Sequence, residues 1–181
     1  NVYNALAAIA LLTQLGVSFE EIEETLPGFR GTRRRLEVIG QSEQFMVIDD
    51  YARHPTEVRA AILALQETKK TVTVIFQPHR YSRMQHFAQD FGKALNEADQ
   101  IILTDVYSAG EENIHQWDVH KLRENIAALG HDKVCFLSKD DIVNHLASKT
   151  DLSGLVAFLG AGDIGEVAHE FASRLKSLPA A

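Results

Sequence analysis

The chain has 181 residues, 45% of them hydrophobic and 24% charged, which is the balance of a globular domain that can bury a core without disulfide or metal staples. Its formal net charge of −7 argues against nucleic acid or an anionic membrane surface as the main partner. One cysteine, Cys135, excludes an internal disulfide; no apolar run is long enough for a bilayer and no signal-peptide pattern opens the chain, so a reducing cytoplasm is expected.

Residues Val2–Leu15 are rich in Ala, Leu and Ile at helical spacing, and Gly16 is placed to end that helix. The chain opens inside this helix with no preceding cap, as a piece of a longer polypeptide would. Ser18 followed by Glu21 reads as a capping box, opening a short acidic helix that Pro27-Gly28 closes. A basic run follows at Arg30, Arg33, Arg34 and Arg35, and in an acidic chain it invites a bound anion.

From Leu36 the pattern alternates. Strands are predicted at Leu36–Ile39, Phe45–Ile48, Val72–Phe76, Gln100–Thr104, Lys133–Leu137 and Leu155–Leu159. Helices are predicted at Thr56–Gln66, Ser82–Glu97, Asp118–Ala128, Lys139–Ser148 and Asp163–Leu178. Val58, Ile62 and Leu65 share one helical face, as do Phe87, Phe91 and Leu95. Strands such as Val72–Phe76 and Gln100–Thr104 read as apolar rather than alternating, which suits parallel strands covered on both faces. The expected fold is therefore α/β, an open and mostly parallel sheet of about six strands with helices on both faces. Cys135, inside the apolar run Val134–Leu137, is expected to be buried, and Trp117 to anchor packing.

In such a fold ligands bind at the carboxyl ends of the strands. Four polar loops leave those ends: Asp49–Glu57, Gln77–Arg83, Asp105–Glu111 and Gly160–Gly165. Asp49 and Asp50 offer carboxylates suited to a ribose hydroxyl or a hydrated metal. His79, Arg80 and Arg83 place cationic donors around one turn, and guanidinium forks match a carboxylate bidentately. A helix starting near Ser82 would add its amides.

Gly160-x-Gly162-x-x-Gly165 has the spacing of a dinucleotide fingerprint, but no further unit follows it to supply the acidic residue that the fingerprint needs. These glycines instead let backbone approach a ligand or let a helix pack on a strand. His86, His115, His120, His131, His145 and His169 show no metal-ligand spacing and are expected at the surface. The chain contains no G-x-x-x-x-G-K-[ST] phosphate loop, so it is not expected to catalyse alone.

Taken together, Asn1-x-x-Asn4-Ala5, Gly31-Thr32-x-Arg34-Arg35, Asp49-Asp50-Tyr51-x-x-His54-Pro55-Thr56-Glu57, Phe76-Gln77-Pro78-His79-Arg80-Tyr81-x-Arg83 and Gly160-Ala161-Gly162-Asp163-Ile164-Gly165 resemble the Mur ligase family, most of all its alanine-adding branch. The resemblance covers essentially the whole chain. It implies a tail of the central ATPase domain over residues 1–32 and a Rossmann-like C-terminal domain over residues 33–181. The implied reaction uses ATP and Mg2+ to phosphorylate the carboxylate of UDP-N-acetylmuramate, after which the amine of L-alanine displaces phosphate.

By the same resemblance, Asn1 and Asn4 are adenine contacts, Asp50 a ribose contact and Arg35 a nucleotide contact. His79, Arg80 and Arg83 form the clamp on the alanine carboxylate with Tyr51 nearby, and His54, Gly160 and Gly162 are weaker candidates. Two positions depart from the family pattern: Arg53 stands where histidine is usual and Arg33 where glycine is usual. A recycling ligase that attaches a ready-made peptide to the same nucleotide sugar shares these motifs. A stand-alone nucleotide-binding module is the alternative of a different class.

Overall fold

A computed structural model describes residues 2–29, 31–114 and 116–175. Asn1, Arg30 and His115 lie outside them. The chain divides into two compact units, Asn1–Thr32 and Arg33–Ala181.

The first unit holds α1 (Val2–Gln14) and α2 (Phe19–Thr25), followed by one 3-10 turn at Leu26–Gly28. The capping box is formed: the Glu21 amide donates to Ser18 Oγ, and Glu21 Oε2 accepts from the Ser18 amide. No side chain of α1 is buried, and Ile22 is the buried residue of α2.

The second unit is a six-stranded sheet. Its strands are β1 (Glu37–Gln41), β2 (Phe45–Asp50), β3 (Val72–Phe76), β4 (Gln100–Leu103), β5 (Val134–Phe136) and β6 (Gly154–Leu159), in the order β1-β2-β6-β3-β4-β5. β1 runs antiparallel to β2, and every other pairing is parallel. Five helices connect or follow the strands: α3 (Pro55–Gln66), α4 (Tyr81–Leu95), α5 (Val119–Ala128), α6 (Lys139–Ser148) and α7 (Ile164–Leu175). The expected α/β sheet with helices on both faces is the fold observed.

Alternate side chains of one strand enter two separate cores. Val74 and Phe76 of β3, with Leu155, Ala157 and Leu159 of β6, face Val58, Ile62, Phe91, Leu122 and Ile126 of α3, α4 and α5. Ile75, Val156 and Phe158 face Ile142, Leu146, Ala168 and Phe171 of α6 and α7. Trp117 belongs to the first core, 6% exposed, as expected of a packing anchor. Cys135 corrects the expectation of burial: it is exposed, because β5 is a three-residue edge strand whose central side chain no helix covers. Of the histidines expected at the surface, His86, His120 and His169 are exposed, whereas His131 and His145 are half-buried. The His131 ring explains its own burial, since Nε2 lies 2.7 Å from the Ala98 carbonyl oxygen.

Parallel register brings the strand ends level. Asp50 and Phe76 both stand opposite Leu159, and Phe76 stands opposite Leu103. The loops after β2, β3, β4 and β6 therefore leave one edge of the sheet together.

Candidate functional site

The loop after β3 meets the loop after β4 first. His79 and Tyr107 form an isolated parallel bridge, with the Tyr107 amide donating to Pro78 O and the Arg80 amide to Tyr107 O, both at 2.8 Å. Their rings stack with centroids 5.5 Å apart. This leaves Arg80 at the cap position of α4 with φ 70 and ψ 131, a backbone conformation costly for any residue with a side chain and typical of functional loops.

Arg83, on the first turn of α4, reaches back to His79. Its Nη1 donates to the His79 carbonyl oxygen and lies 3.1 Å from Nδ1. A guanidinium can only donate, so Nδ1 is the acceptor and the imidazole proton sits on Nε2. His79 is held below its ordinary pKa by burial first, then by the charges of Arg83, Arg53 and Arg80. It is neutral near pH 7. Arg83 is itself depressed, by desolvation and then by the charges of Arg53 and Arg80. Three guanidinium groups thus stand close enough to disfavour one another, which is the electrostatic signature of a place meant for an anion.

Arg80 points elsewhere: its Nη1 lies 3.6 Å from Glu111 Oε1. The expectation of His79, Arg80 and Arg83 around one turn is met in placement, but in this arrangement only His79 and Arg83 touch.

Tyr51 sits beside this group. The guanidinium carbons of Arg34 and Arg53 each lie 5.0 Å from its ring centroid, and Arg53 Nη1 donates to the phenol oxygen at 3.2 Å. Both cations gain from the ring's negative face. His54 caps α3: its Nδ1 accepts from the Thr56 amide, and Glu57 accepts from the His54 and Arg53 amides. Its ring packs edge-on against Phe87, where the backbone of α4 departs from helical geometry.

Of the nucleotide candidates in this unit, Arg35 is exposed and Asp50 is 5% exposed. The Asp50 carboxylate accepts the Leu36 amide on Oδ2 at 2.8 Å and the Ala52 amide on Oδ1 at 2.7 Å. Burial pushes its pKa up against the pull of those two amides and Arg35. Asn4, in the other unit, is exposed on α1.

Arg34, part of the basic run expected to invite an anion, instead ties the glycine loop to β2. Its Nη2 donates to Gly160 O at 2.7 Å and its Nη1 to Gly162 O at 3.4 Å. Its Nε lies 3.2 Å from Asp49 Oδ2, but the directed bond goes to Oδ1 at 3.4 Å, so charge more than alignment holds the pair. The glycines themselves are explained by packing. A Cβ at Gly162 would collide with Gln77 and Tyr107, and one at Gly165 would press on the Arg34 guanidinium at 3.1 Å. Gln77 completes the edge by donating to Asp163 Oδ1 at 2.6 Å and accepting the Ile164 amide, while Lys139 pairs with Asp163 Oδ2 at 2.5 Å. Among the described residues no group of three or more His, Cys, Asp or Glu side chains is arranged to hold a metal ion. No helix among them is long and apolar enough to cross a membrane.

Residues 34–162 match the family described as Mur ligase, glutamate ligase domain. The UDP-N-acetylmuramate–L-alanine ligase of Carboxydothermus hydrogenoformans is 39% identical over 171 residues, 94% of this chain and 37% of the relative. That of Gloeobacter violaceus is 40% identical over 174 residues, 96% of this chain and 38% of the relative. Among solved structures, the UDP-N-acetylmuramate-alanine ligase of Thermotoga maritima superposes with a TM-score of 0.78 at 32% identity, covering 98% of this chain and 38% of that one. A murein peptide ligase of Psychrobacter arcticus, at 23% identity and a TM-score of 0.70, shares the fold. The chain spans under two-fifths of the length of these relatives.

Proposed function

Because the chain belongs to the Mur ligase family through its glutamate ligase domain, we propose that it is the amino-acid-handling part of an ATP-dependent ligase that joins L-alanine to UDP-N-acetylmuramate in peptidoglycan synthesis. The alanine-adding relatives at 39% and 40% identity support the choice of substrate. The observation that carries the reading is the cationic group at the strand ends. Arg83 is braced 3.1 Å from a neutral, buried His79, with Arg53 and Arg80 beside it.

In this reading Arg80 and Arg83 take the carboxylate of L-alanine, His79 fixes the Arg83 fork, and Tyr51 with Arg53 lines the approach. Arg35 and Asp50 contribute to the hold on ATP. ATP supplies the phosphoryl group that activates the muramyl carboxylate. The chain's own task is to hold the amino acid with its amine free for attack, a matter of positioning more than of covalent chemistry. Mg2+ would come with the phosphates of ATP, where one or two carboxylates and the phosphate oxygens suffice to hold it. A cytoplasmic location follows from the nucleotide substrates.

The test is kinetic. In the complete ligase, Arg80→Ala or Arg83→Ala should raise the KM for L-alanine by about ten- to a hundredfold, the equivalent of about 1.5–3 kcal/mol for a charge-assisted bond. The KM for ATP should change far less. Lysine at either position should rescue only part of the loss, since it lacks the planar fork. An unchanged KM for L-alanine with a lowered melting temperature would reduce these arginines to a structural role.

A further inference from the structure

The loop after β4 carries a carboxylate into the neighbourhood where the substrate carboxylate is proposed to bind. The Glu111 amide donates to Ser108 O at 3.1 Å, closing a turn whose two central residues, Ala109 and Gly110, have φ 52 and φ 83. That turn aims the Glu111 side chain at the start of α4. Oε2 accepts the Ser82 amide at 3.1 Å, Oε1 accepts the Ser82 hydroxyl at 2.7 Å, and Oε1 also lies 3.6 Å from Arg80 Nη1. The ion pair is loose and half open to water, with the Arg80 side chain 49% and the Glu111 side chain 25% exposed.

Two acids bear on Arg83, namely Glu57 and Glu111. Glu57 is committed to the amides of Arg53 and His54 at the cap of α3. Glu111 is different, because the guanidinium it meets is one of the two assigned to the substrate. Arg80 therefore has one fork and two carboxylates to serve, one internal and one incoming.

We propose that Glu111 is the positioning residue that sets the affinity of the amino-acid site: it holds Arg80 in place when the site is empty and competes with the substrate carboxylate for it. This rests on the assignment of Arg80 to the carboxylate clamp. Glu111 offsets the mutual repulsion that would otherwise drive the unliganded cationic group apart, and its negative charge weakens the hold on any carboxylate that enters. The α-carboxylate of L-alanine binds as Arg80 turns from Glu111 to the ligand, and Glu111 recovers Arg80 when the ligand has gone. The Ser82 bonds keep Glu111 where it is throughout, so the exchange needs only the Arg80 side chain to move.

The experiment uses the complete ligase with Glu111→Gln, an isostere that keeps an acceptor for the Ser82 amide and loses the charge. The KM for L-alanine should fall by about three- to tenfold, the scale of one unit charge removed a few ångströms away near water. The gain should shrink as salt is raised, because the pair is partly exposed. The melting temperature should fall only slightly, because the pair is loose and partly exposed. In an Arg80→Ala background the same change should lower the KM by much less. An unchanged or raised KM in Glu111→Gln, while Arg80→Ala still raises it, overturns the inference and leaves the clamp standing. If Arg80→Ala itself leaves the KM for L-alanine unchanged, the clamp falls and the inference with it.

Discussion

His79 is 7% exposed, and burial and three nearby arginines all act on it in one direction. Its pKa in the folded chain lies below the ordinary 6.5, so between those two values the unfolded chain binds the proton and the folded chain does not. The stability that His79 contributes is fully present above pH 6.5 and is lost as pH falls toward the folded value. NMR titration of the imidazole should give a midpoint below 6.5, and Arg83→Met should move it upward. The unaltered chain should also lose more thermal stability than His79→Gln as pH falls from 7 to 5. A midpoint at or above 6.5 would contradict the described environment. Much of this site was legible in the sequence, since His79 and Arg83 are four residues apart across a strand-to-helix junction. Glu111 was not, because its direction depends on the turn at Ala109-Gly110, and an alanine at positive φ announces nothing in a sequence.

Among the elements, β3 and β6 were the most readable, because both their faces are covered and neither shows an alternating pattern, Thr73 alone interrupting the apolar side chains of β3. β1 and β5 lie at the sheet's two edges, and there sequence pattern says less. The antiparallel direction of β1 is imposed by its short connection to β2, with an irregularity between Val38 and Gly40, where α7 approaches so closely that a Cβ on Gly40 would stand 2.9 Å from that of Ala172. At the start of β6, Gly154 has φ 84 and a Cβ there would collide with the Thr71 carbonyl. Gly154→Ala should therefore destabilise the sheet domain by at least about 1–3 kcal/mol, the cost of the backbone conformation alone. Chemical denaturation measures this, and an unchanged midpoint would mean that the backbone at position 154 relaxes out of its positive φ and away from Thr71. α1 behaves differently again. It spans 13 residues, none of them buried, and a helix of that length is marginal without packing. Its amides should exchange with solvent far faster than those of β3 and β6.

For the molecule as a whole, the telling sequence feature is an omission. The chain contains no G-x-x-x-x-G-K-[ST] loop, the motif whose backbone amides would cradle the phosphates of ATP. The purified chain, given ATP, Mg2+ and L-alanine, should release no ADP. ADP production that survives Asp50→Asn would refute the assignment of this chain to amino-acid handling.

The place of β6 has a consequence for how the domain is made. It is the last strand in the sequence, yet it stands between β2 and β3, with Asp50 paired to Leu159 across roughly a hundred residues of chain. A ribosome delivers β2 and β3 long before the strand that joins them. Until β6 arrives, each presents an unpaired apolar edge that invites association with other chains. Assembly of the sheet then waits on a contact between distant parts of the chain, the kind that slows folding. A chain stopped ahead of Gly154 would keep every arginine of the cationic group and still be two half-sheets with nothing to unite them. Such a product should accumulate as aggregate, whereas one that ends after α7 should fold.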